Sequence, residues 1–244
     1  MVYPVAGAGM PASAPGRSSQ GDYVSAVGVA AGSGPLFIVA VGLLGALLCT
    51  ITEVLIARSL PRLGGLPPLR TRITTAALTG TLCAALALRV GAEWSLPAFL
   101  ALAVLAVQLG RIDFSHHLLP NPLVLALLIA GLALFTVSST ASAGWSPLLR
   151  AAIGAVVLFL VYLVLALISP SGIGMGDVKL AAPVGLYLGY LGWSPLFYGG
   201  ALGFVLCGIF SLVLISLKRA AKSSEVAFGP SMLAATLGVV LFTA

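Results

Sequence analysis

The sequence predicts an all-α, polytopic integral membrane protein with about eight transmembrane helices, and three observations predict it. Of 244 residues, 60% are hydrophobic and 7% are charged, where an ordinary soluble domain carries about 25% charged residues. Mean hydropathy is +1.15. The apolar residues gather into runs near the ~20 needed to cross a hydrocarbon core as helix, where every backbone polar group must be satisfied internally. A soluble globule is excluded. Eight such runs leave no room for a sizeable soluble module.

Residues 1–34 are rich in Gly, Ala, Ser and Pro, with Arg17 and Asp22 as their charges. They lack the material for a core, which predicts a flexible tail ahead of one membrane-embedded domain over 35–244. No basic region precedes a short apolar core, so a cleavable secretory signal is not expected and the first span should direct insertion. That span covers about 35–57. The loop after it holds Arg58, Arg62, Arg70 and Arg72 among Pro and Gly, a density of positive charge that places it in the cytoplasm. Further spans are expected at about 73–90, 97–111, 121–138, 149–168, 178–191, 196–217 and 226–243.

Fixing the first loop inside fixes every other loop by alternation. Arg58, Arg62, Arg70, Arg72, Arg111, Lys179, Lys218, Arg219 and Lys222 then fall inside, nine of the 12 basic residues, and Arg17, Arg89 and Arg150 fall outside. This is the positive-inside bias, and seven spans would break it. Trp94, Trp145 and Trp193 fall in the outer loops, where amphipathic rings favour the headgroup zone. The net charge of +6 therefore reports topology, and no nucleic-acid partner is expected.

Cys49, Cys83 and Cys207 are isolated in apolar runs and read as small buried hydrophobes. His116 and His117 are adjacent, have no third His or Cys nearby and lack an H-E-x-x-H pattern, so no metal site is expected. Carboxylates are costly near hydrocarbon, so the six acids are the informative residues. Asp22, Glu93 and Glu225 sit where they stay hydrated. Glu53, near the inner end of the first span, can snorkel or pair with Arg58.

Asp113 and Asp177 differ, because alternation puts both at the cytoplasmic ends of spans despite their separation in sequence. Each alone could cap a helix or pair with a neighbour, Arg111 or Lys179. Together at a partly dry boundary they cannot both ionise easily, so one keeps a proton while the other acts as a base, the division that peptide hydrolysis by an aspartic dyad requires. Asp177 closes Gly172-Ile-Gly174-Met-Gly176-Asp177; glycines there permit unusual main-chain conformations and close backbone approach. A phosphate-cradling loop does not fit, since no G-K-[ST] follows and the acid would repel a phosphate. Lys179 can stabilise ionised Asp177 or anchor its span at the headgroups. Gly185 and Gly189, four apart, read as helix-packing contacts.

The segment Asp113 to Asn121, the run Gly174-Met-Gly176-Asp177-Val-Lys179-Leu180, and the late Phe228-Gly229-Pro230 together resemble the type IV prepilin peptidases, the GxGD-type aspartic proteases of bacterial membranes. The resemblance covers roughly 35–244. It implies a multi-pass protein of the bacterial cytoplasmic membrane that removes the leader from prepilins or pilin-like secretion subunits at the inner face. Asp113 and Asp177 would be the catalytic pair, with Gly174, Gly176 and Lys179 in the supporting loop and no metal or organic cofactor. Pilus or secretion assembly components would be further partners.

One departure stands out. Fuller family members carry a cytoplasmic insert with two C-x-x-C pairs after the first span, associated with N-methylation of the trimmed pilin. Here Arg58 to Arg72 holds no cysteine, so peptidase activity without methyltransferase activity is expected. Signal peptide peptidases and presenilins are less similar, lacking here their Tyr-Asp and Pro-Ala-Leu motifs, and a rhomboid-type Gly-x-Ser-Gly is absent. From a different class, a small transporter using the two Asp as proton or cation sites would want them near mid-bilayer. A catalytically inactive assembly scaffold would differ in activity alone.

Overall fold

Eight α-helices form where the apolar runs lie, in a computed structural model that describes residues 34–59, 65–116, 119–142, 144–168, 174–216 and 228–243. They are α1 (Pro35–Ser59), α2 (Leu69–Val90), α3 (Leu96–His116), α4 (Asn121–Ala141), α5 (Ser146–Ile168), α6 (Met175–Leu191), α7 (Trp193–Ser216) and α8 (Gly229–Thr243). The helices α1 to α5 are long and apolar enough to cross a membrane, which makes this a multi-pass membrane protein. The tail expected over 1–34 lies outside the described residues apart from Gly34, and so do His117 and the side chain of His116.

Each helix matches an expected span to within a few residues, and the differences have local causes. Pro at or beside the start of α1, α4, α5 and α8 supplies a preset φ where the missing N–H costs no helical bond. The helix α2 begins at Leu69, four residues earlier than expected, because Pro68 stops it there and Arg70 and Arg72 are good helix formers. The helix α3 runs to His116, so Asp113 sits within its last turn and not in a boundary loop.

Lengths and burial sort the helices into two groups. The helices α6 and α8 have 17 and 15 residues, about 26 and 22 Å at 1.5 Å per residue, short of a ~30 Å hydrocarbon core. Together with α3 they are also the helices most enclosed by neighbours. Around them the longer helices turn leucines, isoleucines and valines outward: Leu43, Leu47 and Leu55 on α1, Val156 and Val164 on α5. In water such surfaces would drive aggregation; against lipid tails they are the solvated face.

Helices within lipid gain no hydrophobic force from touching one another, so close backbone packing at small residues holds them together. The helix α5 lies antiparallel to α6 with Gly154 facing Gly185, and a Cβ on Gly154 would stand 2.6 Å from the Gly185 carbonyl oxygen. Gly189 meets Arg150 in the same way, 2.9 Å from its carbonyl, so the expected packing role of both glycines is met. The Arg150 side chain then closes the end of α6, donating from Nε to Gly189 O at 2.7 Å and from Nη2 to Tyr190 O at 2.6 Å. A cation on the last carbonyls of a helix satisfies groups that have no intrahelical donor. The helices α1 and α2 pair through Gly42 and Gly80, each within about 3 Å of the other's carbonyl once a Cβ is added.

Candidate active site

Alternation of the eight helices gathers the C-terminal end of α3 and the N-terminal ends of α4, α6 and α8 at one end of the bundle. Arg58, Arg70, Arg72, Arg111 and Lys179 lie towards this end, and Arg89 and Arg150 towards the other. The described basic residues thus divide as a cytoplasmic and an outer face should. Trp94, Trp145 and Trp193 are exposed at the second end.

Asp113 and Asp177 meet here. They are 5% and 8% exposed, and close enough for their carboxyls to interact electrostatically. Burial of two acids at a helix end is expensive unless something in the site requires it. Asp177 occupies the third residue of α6, its backbone N–H donating to Gly174 O at 3.0 Å. The free N–H groups of a first helical turn favour a carboxylate there. Asp177 Oδ1 has no hydrogen-bond partner among the described residues.

Three glycines lie near the two carboxyls, and two of them, Gly176 and Gly229, stand where a side chain would be crowded. Gly174 has φ −71° and ψ 146°, ordinary extended backbone that any residue adopts, and among the described residues the positive-φ glycines are Gly65 and Gly91. The expectation of unusual main-chain conformation is therefore corrected for Gly174. A Cβ there would stand 3.4 Å from Asp177 Oδ2, an ordinary contact. A Cβ on Gly176 would come within 3.1 Å of Leu119 Cβ, and one on Gly229 within 2.7 Å of Asp113 Oδ2. Leu119 thereby packs against both Gly176 and the position of Gly229, locking the start of α4 onto α6 and α8.

Lys179 does not turn to Asp177; its Nζ donates to Asn121 Oδ1 at 3.0 Å, tying the first turn of α6 to the start of α4. Glu53 was expected to snorkel or to pair with Arg58. It accepts instead from Thr75 Oγ1 at 2.7 Å, with Arg72 Nε 3.5 Å from its other oxygen, because antiparallel packing of α1 on α2 brings residue 75 opposite residue 53. This group and Arg111, which donates to Gln108 Oε1 at 2.9 Å, face a cavity of about 290 Å³ between α1, α2 and α3. With Arg111, Ile112 and Ser115 lining it, that cavity lies on the face of α3 roughly opposite Asp113 by the helical period. It is separate from the carboxyl pair.

Tyr162 is a residue the sequence reading missed. It is fully buried in α5, stacked on Phe204 at 5.0 Å between ring centroids and 5.8 Å from Phe228. A tyrosine in an apolar span carries no local signal; its position follows from the α5–α6 register alone. Phe228 and Gly229 were visible as part of a motif, but their contact with Tyr162 and Asp113 was not.

Residues 98–216 match the type IV leader peptidase family. A protein of Aeromonas salmonicida named prepilin leader peptidase/N-methyltransferase is 35% identical over 158 residues, which cover 63% of this chain and 52% of that protein. Proteins of the same name from Xanthomonas campestris and Neisseria gonorrhoeae are 33% and 32% identical, over 68% of this chain and 56% and 55% of theirs. The chain spans about half the length of the curated relatives it matches. No solved structure matches it. The stretch that matches the type IV leader peptidase family, residues 98–216, holds both Asp113 and Asp177.

Proposed function

We propose that this protein is an aspartic endopeptidase of the bacterial cytoplasmic membrane, and that it removes the leader from type IV prepilins or pilin-like subunits at the cytoplasmic face. The observation that carries the reading is the pair of buried carboxyls, Asp113 and Asp177, at the positively charged end of the bundle. The names of the relatives supply the substrate class. Placement at a bundle end, not at its middle, favours peptidase over transporter, because a peptide bond next to an apolar helix reaches the pair from the membrane surface.

In the reaction one carboxylate takes a proton from a water molecule as its oxygen bonds to the scissile carbonyl carbon, while the protonated partner gives its proton to the carbonyl oxygen. The tetrahedral carbon then collapses: the C–N bond breaks, the proton taken from water passes to the leaving amine, and one hydroxyl of the tetrahedral carbon returns its proton to the pair as the C=O bond re-forms. The pair ends with one proton between them, as it began. The two acids titrate together, so base and acid are roles of the pair and not of one residue. Gly174, Gly176 and Lys179 support the loop that carries Asp177, as the contacts of the two glycines with Asp177 and Leu119 and of Lys179 with Asn121 suggest. Residues 35–244 act as one membrane-embedded catalytic domain.

The activity is peptidase without N-methylation. Support for that comes from the segment between α1 and α2, which has no cysteine where a thiolate-held insert would stand. The test is co-expression of an epitope-tagged prepilin from the same genome with the wild type, Asp113→Asn and Asp177→Asn, at equal membrane levels. Leader removal is read by gel shift and intact mass. The wild type is expected to cleave and leave an unmethylated N-terminus, and both variants to leave the precursor intact. Cleavage by either variant rejects the pair, and a product heavier by one methyl group rejects the single activity.

A further inference from the structure

Beyond the two aspartates, we infer that Tyr162 is a positioning residue for Asp177, its hydroxyl orienting the carboxyl through a bridging water. The inference rests on the peptidase reading. Its first support is register. Gly154 faces Gly185 and Arg150 faces Gly189, so each step of four residues along α5 is a step of four back along α6, and two steps from Gly154 bring residue 162 level with residue 177. The electrostatic interaction between Tyr162 and Asp177 agrees with that placement.

Its second support is the state of the hydroxyl. Tyr162 is completely buried and its O–H has no hydrogen-bond partner among the described residues. Leaving a buried hydroxyl unbonded is unfavourable, and a phenylalanine would fill the same ring position without that cost. The ring needs no hydroxyl for its stacking on Phe204 and its contact with Phe228. Asp177 Oδ1, on the facing helix, also lacks a partner among the described residues. A donor and an acceptor, each without a bonded partner among the described residues, level on neighbouring helices and near enough to interact electrostatically, are what a single water joins. The ring in turn abuts Phe228, whose neighbour Gly229 lies against the Asp113 carboxyl. One side chain thus reaches the surroundings of both acids.

Tyr187 provides the control, since it too is fully buried with an unpartnered hydroxyl, but it packs on Phe99 and Phe135 in the body of the bundle. Purified full-length wild type, Tyr162→Phe and Tyr187→Phe are compared by steady-state cleavage of a tagged prepilin across pH, with thermal unfolding in the same detergent. Tyr162→Phe is expected to lower kcat roughly tenfold with KM unchanged, to displace the acidic limb of the pH–rate profile, and to melt no lower than wild type. Tyr187→Phe is expected to match wild type in all three. Unchanged kcat in Tyr162→Phe, with Asp113→Asn and Asp177→Asn inactive, overturns the inference and leaves the peptidase reading standing. Parallel losses in both tyrosine variants with lowered melting also overturn it, since the role would then be structural. Absence of cleavage by the wild type overturns the peptidase reading and this inference with it.

Discussion

Gly229→Ala separates stability from activity at one atom. The added Cβ would stand 2.7 Å from Asp113 Oδ2, with Leu119 Cδ1 at 3.2 Å and Asp113 Cγ at 3.4 Å. Carbon and oxygen ordinarily meet at about 3.3 Å, so the carboxyl must move by about 0.6 Å. Leu119 blocks part of the way out. A misplacement of 1 Å at a reacting group costs on the order of a hundredfold in rate, so this one should cost at least about tenfold in kcat. Crowding costs about 1–3 kcal/mol of stability, partly offset by the better helix propensity of alanine. Gly238→Ala, on the same helix with nothing within 4 Å of its Cβ, should be stabilising by up to about 1 kcal/mol with turnover unchanged. Initial rates of prepilin cleavage at saturating substrate, beside melting curves in the same detergent, measure both. Full wild-type kcat in Gly229→Ala would refute the reasoning, because it would mean that the position of the Asp113 carboxyl is not held by the absence of a side chain at 229.

Three further outcomes follow from the packing. Gly154→Ala should lower stability by about 1–3 kcal/mol, because its Cβ would meet backbone atoms of α6 that cannot rotate aside; unchanged thermal unfolding would refute the close approach of α5 and α6. Arg150→Met keeps the apolar stem but removes both hydrogen bonds to the end of α6, and should cost about 1.5–3 kcal/mol; a smaller loss in the same melt would show that lipid headgroups or water replace it. Thr75→Val leaves the buried Glu53 Oε1 without its donor at about 1–3 kcal/mol, and the double variant Thr75→Val/Glu53→Leu should recover most of it. Failure of that recovery would mean Glu53 is needed for more than its partner.

Much of the fold and part of the site could be read along the chain. Asp113 and Asp177 stood out because a carboxyl at the end of an apolar run is costly anywhere, and alternation of spans alone put both on one face. Tyr162 gave no such sign, since a tyrosine in an apolar run satisfies every local rule. Glu53 was read as snorkelling or as a partner of Arg58, five residues away on the same helix, because neighbours in sequence are visible and neighbours across a helix pair are not. The glycines before Asp177 were read as conformational freedom, and Gly174 turned out to have ordinary backbone angles. Room for neighbours is needed instead at Gly176 and Gly229, beside Leu119 and the Asp113 carboxyl, and that depends on what arrives from elsewhere.

By itself the sequence determined the class, the number and order of the helices, the face that each loop takes and the acids worth attention. Those follow from transfer free energies of single residues and short windows, which are local quantities. Tertiary structure decided which helices are central, that Leu119 and Gly229 close around the pair, that Lys179 goes to Asn121, and that Tyr162 stands level with Asp177. These depend on interhelical register, which is set where backbones touch at Gly154, Gly185 and Gly189. A contact between two glycines leaves almost no trace in the hydropathy of either strand of sequence, yet it fixes to within a turn what every other residue on both helices can reach.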